Sequence, residues 1–99
     1  MERNEISIHE LSVWLALKRA GKWITNDELF AMVDGVRPRT VRTHTKKFVE
    51  LGLVDLAEVF PGHRYRISEM ASKRNKAYVL RLDAAIEQFG LNDHAWGEP

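Results

Sequence analysis

The sequence has no cysteine, almost no net charge and no long apolar run, and each absence removes a class of explanation. Without cysteine there is no disulfide, no thiolate metal site and no cysteine nucleophile. With 15 Lys+Arg against 14 Asp+Glu the formal net charge is only +1, so any electrostatic signal must lie in how charge is distributed. No stretch approaches the roughly 20 apolar residues that cross a bilayer. The polar start "MERNEISIHE" also lacks the basic-then-apolar plan of a secretory leader. The expectation is a cytoplasmic protein with no membrane partner. What is present, 44% hydrophobic residues and three tryptophans in 99 positions, suffices for one modest core but not for a catalytic domain with a regulatory one attached.

Caps and periodicity divide the chain. Ser7 and Glu10 stand at capping-box spacing ahead of Leu11, Trp14, Leu15 and Ala16, which predicts a first helix ending at Gly21. Thr25 and Glu28 repeat the box and open a short helix through Leu29, Phe30, Met32 and Val33, stopped by Asp34-Gly35. Trp23-Ile24, between them, reads as a short extended segment. A third helix starts at Arg37-Pro38, because proline needs no N–H at the first helical position. Its buried stripe is Val41, Phe48 and Leu51, with His44 and Thr45 on the flanks and Gly52 at its end.

The β-branched and apolar residues from Leu53 to Phe60, the Pro61-Gly62 pair suited to a type II turn, and the alternating return "RYRI" predict a hairpin. Tyr65 and Ile67 then share one face, Arg64 and Arg66 the other. From Ser68 to Gly90 no proline or glycine intervenes, which predicts one long helix capped by Ser68 and closed by Gly90. A strand at "AYVLRL" competes with it; the helix is preferred. The fold class expected is therefore mainly α with a small β-hairpin, an α+β arrangement.

The densest chemistry lies in "GVRPRTVRTHTKKF", residues 35–48, with five cationic side chains, three threonines and no acid. If Val41, Phe48 and Leu51 turn inward, Arg39, Arg42, Thr43, Lys46 and Lys47 lie outward or on the flanks, and Thr40 sits at the exposed N-terminal end. Arginine forks suit guanine edges, and threonine suits a hydroxyl contact or a thymine methyl. Lys46 and Lys47, further along, suit phosphates. Arg37 cannot cap the helix and opposes its dipole, which suggests a gain elsewhere such as a phosphate contact. Arg64, Arg66, Lys73, Arg74 and Lys76 continue the positive charge, with Glu69 the only acid from Gly62 to Lys76. A solvated basic face is the plain reading of such a run; the asymmetry in a nearly neutral chain favours a polyanion footprint.

The order helix, short strand, helix, turn, helix, hairpin over residues 7–67 resembles the winged helix-turn-helix family of DNA-binding proteins. The resemblance is densest at "ELFAMVDGVRPRTVRTHTKKFVELGLVDL", where Val36, Thr40-Val41 and Glu50-Leu51-Gly52-Leu53-Val54 fill the family's pattern. Two positions depart from it: Arg37 stands where a capping oxygen is usual, and Thr45 where an aliphatic core residue is frequent. The threonine should loosen packing or bond back to its own helix. The resemblance implies a recognition helix at 38–51 in the major groove and a wing at 60–66, with His63, Arg64 and Arg66, on the backbone or minor groove. His63 reads equally well as a plain turn residue.

The function so implied is a sequence-specific binder of double-stranded DNA, a compact transcriptional regulator of the kind found in bacteria, phages and mobile elements. A replication or partition accessory role, or a protein–protein adaptor, are the alternatives. The four histidines are scattered with no metal-ligand spacing, and no nucleophile–base set or phosphate-cradling loop stands out, so no enzyme, cofactor or small-molecule ligand is expected.

Three parts are expected: 1–67 as the winged domain, 68–90 as a C-terminal helix, and 91–99 as a tail from which Trp96 could fold back. In the helix, Ala71, Asn75, Tyr78, Leu82, Ala85 and Phe89 recur at the alternating steps of a coiled-coil seam. One reading is a homodimer matched to an inverted-repeat site. In the other, Tyr78, Leu82 and Phe89 pack back on the first helix.

Overall fold

The computed structural model describes residues 6–59 and 62–90; Pro61 of the expected Pro61-Gly62 turn and the tail with Trp96 lie outside the described residues. The element order is α1 (Ile8–Ala20), β1 (Ile24–Thr25), α2 (Asn26–Met32), α3 (Pro38–Glu50), β2 (Val54–Ala57), β3 (Arg64–Ile67), α4 (Ala71–Arg74) and α5 (Lys76–Phe89). Leu11, Val13, Trp14, Leu15, Ala16 and Leu17 are buried around nearly the whole circumference of α1. A helix apolar on every side must be enclosed, and α1 is, with α2, α3, α5 and β3 all packed against it. Trp14 meets Phe48 of α3 at 5.3 Å between ring centroids, tilted 60°, which adds about 0.5–1.5 kcal/mol beyond area burial and pins α3 to the central helix.

The three strands form one antiparallel sheet in the order β1-β3-β2. The hairpin pairs Val54 with Ile67, Asp55 with Arg66, Leu56 with Tyr65 and Ala57 with Arg64. The extended segment after α1 joins it as the outer strand, pairing Ile24 with Tyr65 and Thr25 with Arg64. This is the α+β winged arrangement that the element order implied. At Thr25 the capping box is complete, with the Glu28 N–H donating to the hydroxyl at 3.1 Å and the Thr25 N–H donating to the Glu28 carboxylate at 2.9 Å. Pro38 stands in the first turn of α3, as its missing N–H requires. Gly52 takes φ +83° just past the end of α3, a left-handed conformation that favours glycine, and a Cβ there would stand 3.3 Å from the Arg74 side chain.

Four expectations are corrected. The box at Ser7 is half made: the Ser7 hydroxyl accepts from the Glu10 N–H at 3.1 Å, but the Glu10 carboxylate is buried and bonded elsewhere. Thr45 is core rather than flank, 1% exposed, because its hydroxyl donates to the Val41 carbonyl at 2.8 Å and so needs no outside partner. Leu51 is only half-buried. The long helix from Ser68 is two helices, broken at Asn75, whose backbone leaves helical space at φ −152°, ψ 68°. Ser68 accepts from the Met70 N–H at 2.9 Å as a local turn, and Asn75 takes over as the cap of α5, accepting from the Tyr78 N–H at 3.3 Å. Its amide also donates to the Leu51 carbonyl at 3.4 Å, tying the end of α3 to the start of α5. With 14 residues, α5 is about 21 Å long rather than the roughly 30 Å of an unbroken rod.

Candidate nucleic-acid interface

Burial of Val41, Thr45 and Phe48 fixes the rotation of α3, and at about 100° per residue this turns Arg39, Arg42, Thr43 and Lys46 to the opposite side, where all four are exposed. Thr40 is half-buried at the N-terminal end. The Thr43 hydroxyl donates to the Arg39 carbonyl at 3.0 Å, so it offers outward a lone pair and a methyl group rather than a hydrogen. Glu50 closes the strip with an exposed acid. Arg37 holds the N-cap position in extended conformation with no side-chain cap bond, and it too is exposed.

Arg42 and Lys46 stand on the rim of a hollow of about 270 Å³ between the start of α2, α3 and the sheet. Its other walls are Asn26, Val49, Leu56 and Tyr65. The Asn26 side-chain oxygen is buried there without a hydrogen-bond partner among the described residues. In the wing, His63 and Arg64 are exposed. Arg66 is placed differently: its guanidinium lies 4.5 Å over the Trp23 ring and its Nε 3.6 Å from Asp55. Arg74 reaches the same carboxylate at 3.4 Å. One aspartate thus holds two of the cations through which the sequence extended its basic footprint.

Lys47 lies on the flank of α3 that faces α1 and α5, not on the strip. Its ammonium donates to Glu10 Oε1 at 3.3 Å and stands 5.3 Å over the Tyr78 ring. The Tyr78 hydroxyl donates to the other Glu10 oxygen, and Arg81 covers the same ring at 4.8 Å. Burial opposes the Lys47 charge, but the Tyr78 hydroxyl and the Glu10 carboxylate more than offset it and hold its pKa above the ordinary value. Burial, then the bond to Glu10, raises that of Tyr78. His44 packs on the same flank with its Nδ1 buried and unpartnered among the described residues. Burial lowers its pKa against the pull of Glu10.

The expected seam faces inward over most of its length. Ala71, Tyr78, Leu82 and Ala85 are buried within the chain's own core, Asn75 caps α5, and Phe89 is 48% exposed at its end. Sequence reasoning missed Glu10, Asn26 and Asp55. For Glu10 there was a signal: it shares a helical stripe with Val13, Trp14 and Leu17, where a carboxylate is out of place unless it has partners. Among the described residues no group of histidines and carboxylates could hold a metal ion, and no helix is long and apolar enough to cross a membrane.

No family model matches the chain, and no curated protein matches it. Solved structures do. The ST1889 protein from the thermoacidophilic archaeon Sulfolobus tokodaii is 28% identical over 86% of this chain and 84% of its own, with a TM-score of 0.60. A transcriptional regulator of the MarR family from Rhodococcus sp. RHA1 is 17% identical over 91% of this chain, with a TM-score of 0.59. A mutant of Lactococcus lactis ZitR in complex with DNA is 13% identical over 91% of this chain, with a TM-score of 0.52. The chain spans 66% and 63% of these two proteins' lengths. The likeness establishes a winged-helix fold.

Proposed function

We propose that this chain binds double-stranded DNA sequence-specifically and acts as a transcriptional regulator, with α3 as its reading helix. The observation that carries the reading is the exposed strip of Arg39, Arg42, Thr43 and Lys46, oriented by Val41, Thr45 and Phe48 and accompanied at its start by Arg37. Guanidinium forks on the outward face of a helix that follows a tight turn suit guanine edges in the major groove. Lys46 and Arg37, at the two ends of the strip, suit phosphates, and His63 with Arg64 would bring the wing to the backbone beside them. The fold shared with a MarR-family regulator and with a DNA-bound ZitR supports the reading.

Titration of labelled duplex at two salt concentrations tests it. Binding should weaken steeply with salt, because each neutralised phosphate releases counterions. A panel of selected and scrambled duplexes separates the roles: Arg39→Gln or Arg42→Gln should cost about 1–3 kcal/mol and relax preference at single base positions, whereas Lys46→Gln should weaken all duplexes alike. Absence of binding at low salt would sink the proposal.

A further inference from the structure

Glu10 is the only charged residue in the buried core of the described chain, 3% exposed, and its two oxygens are divided between two elements. Oε2 accepts from the Tyr78 hydroxyl of α5, and Oε1 accepts from the Lys47 ammonium of α3 at 3.3 Å. Among the described residues, Lys47 is the cation of "RTVRTHTKK" with an ion pair: it is held by a carboxylate on one side and an aromatic face on the other. Its side chain is nevertheless 46% exposed, so the ammonium stays within reach of solvent and of a polyanion at that flank.

We infer that Glu10 is a specificity-determining residue for the proposed DNA binding, acting as an internal counter-ion that withholds Lys47 from phosphates. A lysine at this point of a reading helix would add a sequence-independent contact, equally favourable on every duplex. Pairing it inside the fold removes that contact while keeping the helix tied to α1 and α5. The clamp is inexpensive to hold because the carboxylate stays buried with both oxygens bonded, which avoids the penalty of an unpaired buried charge. Releasing Lys47 to DNA would leave Glu10 with Tyr78 alone, so the buried carboxylate itself favours the clamped state. Arg39, Arg42 and Lys46 have no such carboxylate partner among the described residues, so the reading strip and the clamped lysine are distinct in kind.

This inference rests on the proposed DNA binding, and the test keeps the two separable. Full-length wild type, Glu10→Gln, Lys47→Gln and the double variant are titrated into a fluorescein-labelled random-sequence duplex across salt, with folding checked by circular dichroism. Wild type and Lys47→Gln should give the same slope of log K against log salt. Glu10→Gln should bind severalfold tighter and steepen the slope by about 0.9, the value of one additional phosphate contact. The double variant should return to the wild-type slope, which a purely structural role for Glu10 would not produce. A Lys47→Gln slope shallower than wild type by about 0.9, or a folded Glu10→Gln with the wild-type slope, overturns the inference. If Glu10→Gln does not fold, the Lys47→Gln comparison decides alone. Failure of wild type to bind any duplex would strike the proposed function instead.

Discussion

At the scale of single residues, His44 shows how position between a reading face and a core alters chemistry. Glu10 and His9 reach it from α1 and Lys47 from its own helix, and its Nδ1 is buried without a partner among the described residues. Burial disfavours the imidazolium, Glu10 favours it, and Lys47 and His9 disfavour it further; the outcome is a pKa below the ordinary value of 6.5. The unfolded chain therefore takes up a proton near pH 6.5 that the folded chain resists. The contribution is fully present above that pH and is lost as pH falls through the folded-state pKa. Urea midpoints measured at about pH 7.5 and about pH 5.5 should fall on acidification, and the fall should be smaller in His44→Gln. An equal fall in both proteins would remove His44 as its source.

Arg37 poses its question at the level of the element. The helices α1, α2 and α5 each carry a side-chain cap, from Ser7, Thr25 and Asn75, whereas α3 begins at an arginine that makes none. Its backbone already has the extended geometry of an N-cap, φ −65° and ψ 145°, so Arg37→Ser needs only a hydroxyl to complete the cap. The variant should gain about 0.5–2 kcal/mol of stability by urea denaturation. It should also bind random duplex with a slope shallower by about 0.9. A gain in stability with an unchanged slope would refute a phosphate contact by Arg37. Features of this local kind were legible in the sequence: the Thr25 box, the Pro38 start, the "RYRI" return and the turn at Gly52 depend on neighbours in the chain. What was not legible depends on distant approach. Asn75 ends a helix because the Leu51 carbonyl is within reach of its amide, and Asp55 takes Arg66 and Arg74 because the hairpin and α4 meet there. Of the candidate site, the outward strip of α3 was readable from the stripe of Val41, Phe48 and Leu51, although Leu51 is only half-buried. The destination of Lys47 was not, since the Glu10 carboxylate lies 37 residues away in sequence.

Over the whole molecule, the same spacing of apolar residues along α5 could serve a second copy or the chain's own centre, and periodicity cannot choose between them. Within the chain, α1 is apolar around its circumference and needs cover on the side that α3 and the sheet leave open. In the structure α5 supplies it, with Leu82 fully buried and Tyr78 bonded to Glu10. Deleting the Leu82 side chain should therefore damage the folding of a single chain. Leu82→Ala should cost about 2–5 kcal/mol, read as a lower urea midpoint in both dilute and concentrated samples. An interface residue would behave otherwise, because stability gained by association rises with protein concentration. If the wild-type midpoint climbs with concentration and Leu82→Ala abolishes the climb, Leu82 belongs to a contact between copies. A loss that is the same at every concentration assigns it to the monomer's core and leaves the exposed Leu80 and Phe89 as the apolar side chains of α5 with which to seek a partner surface.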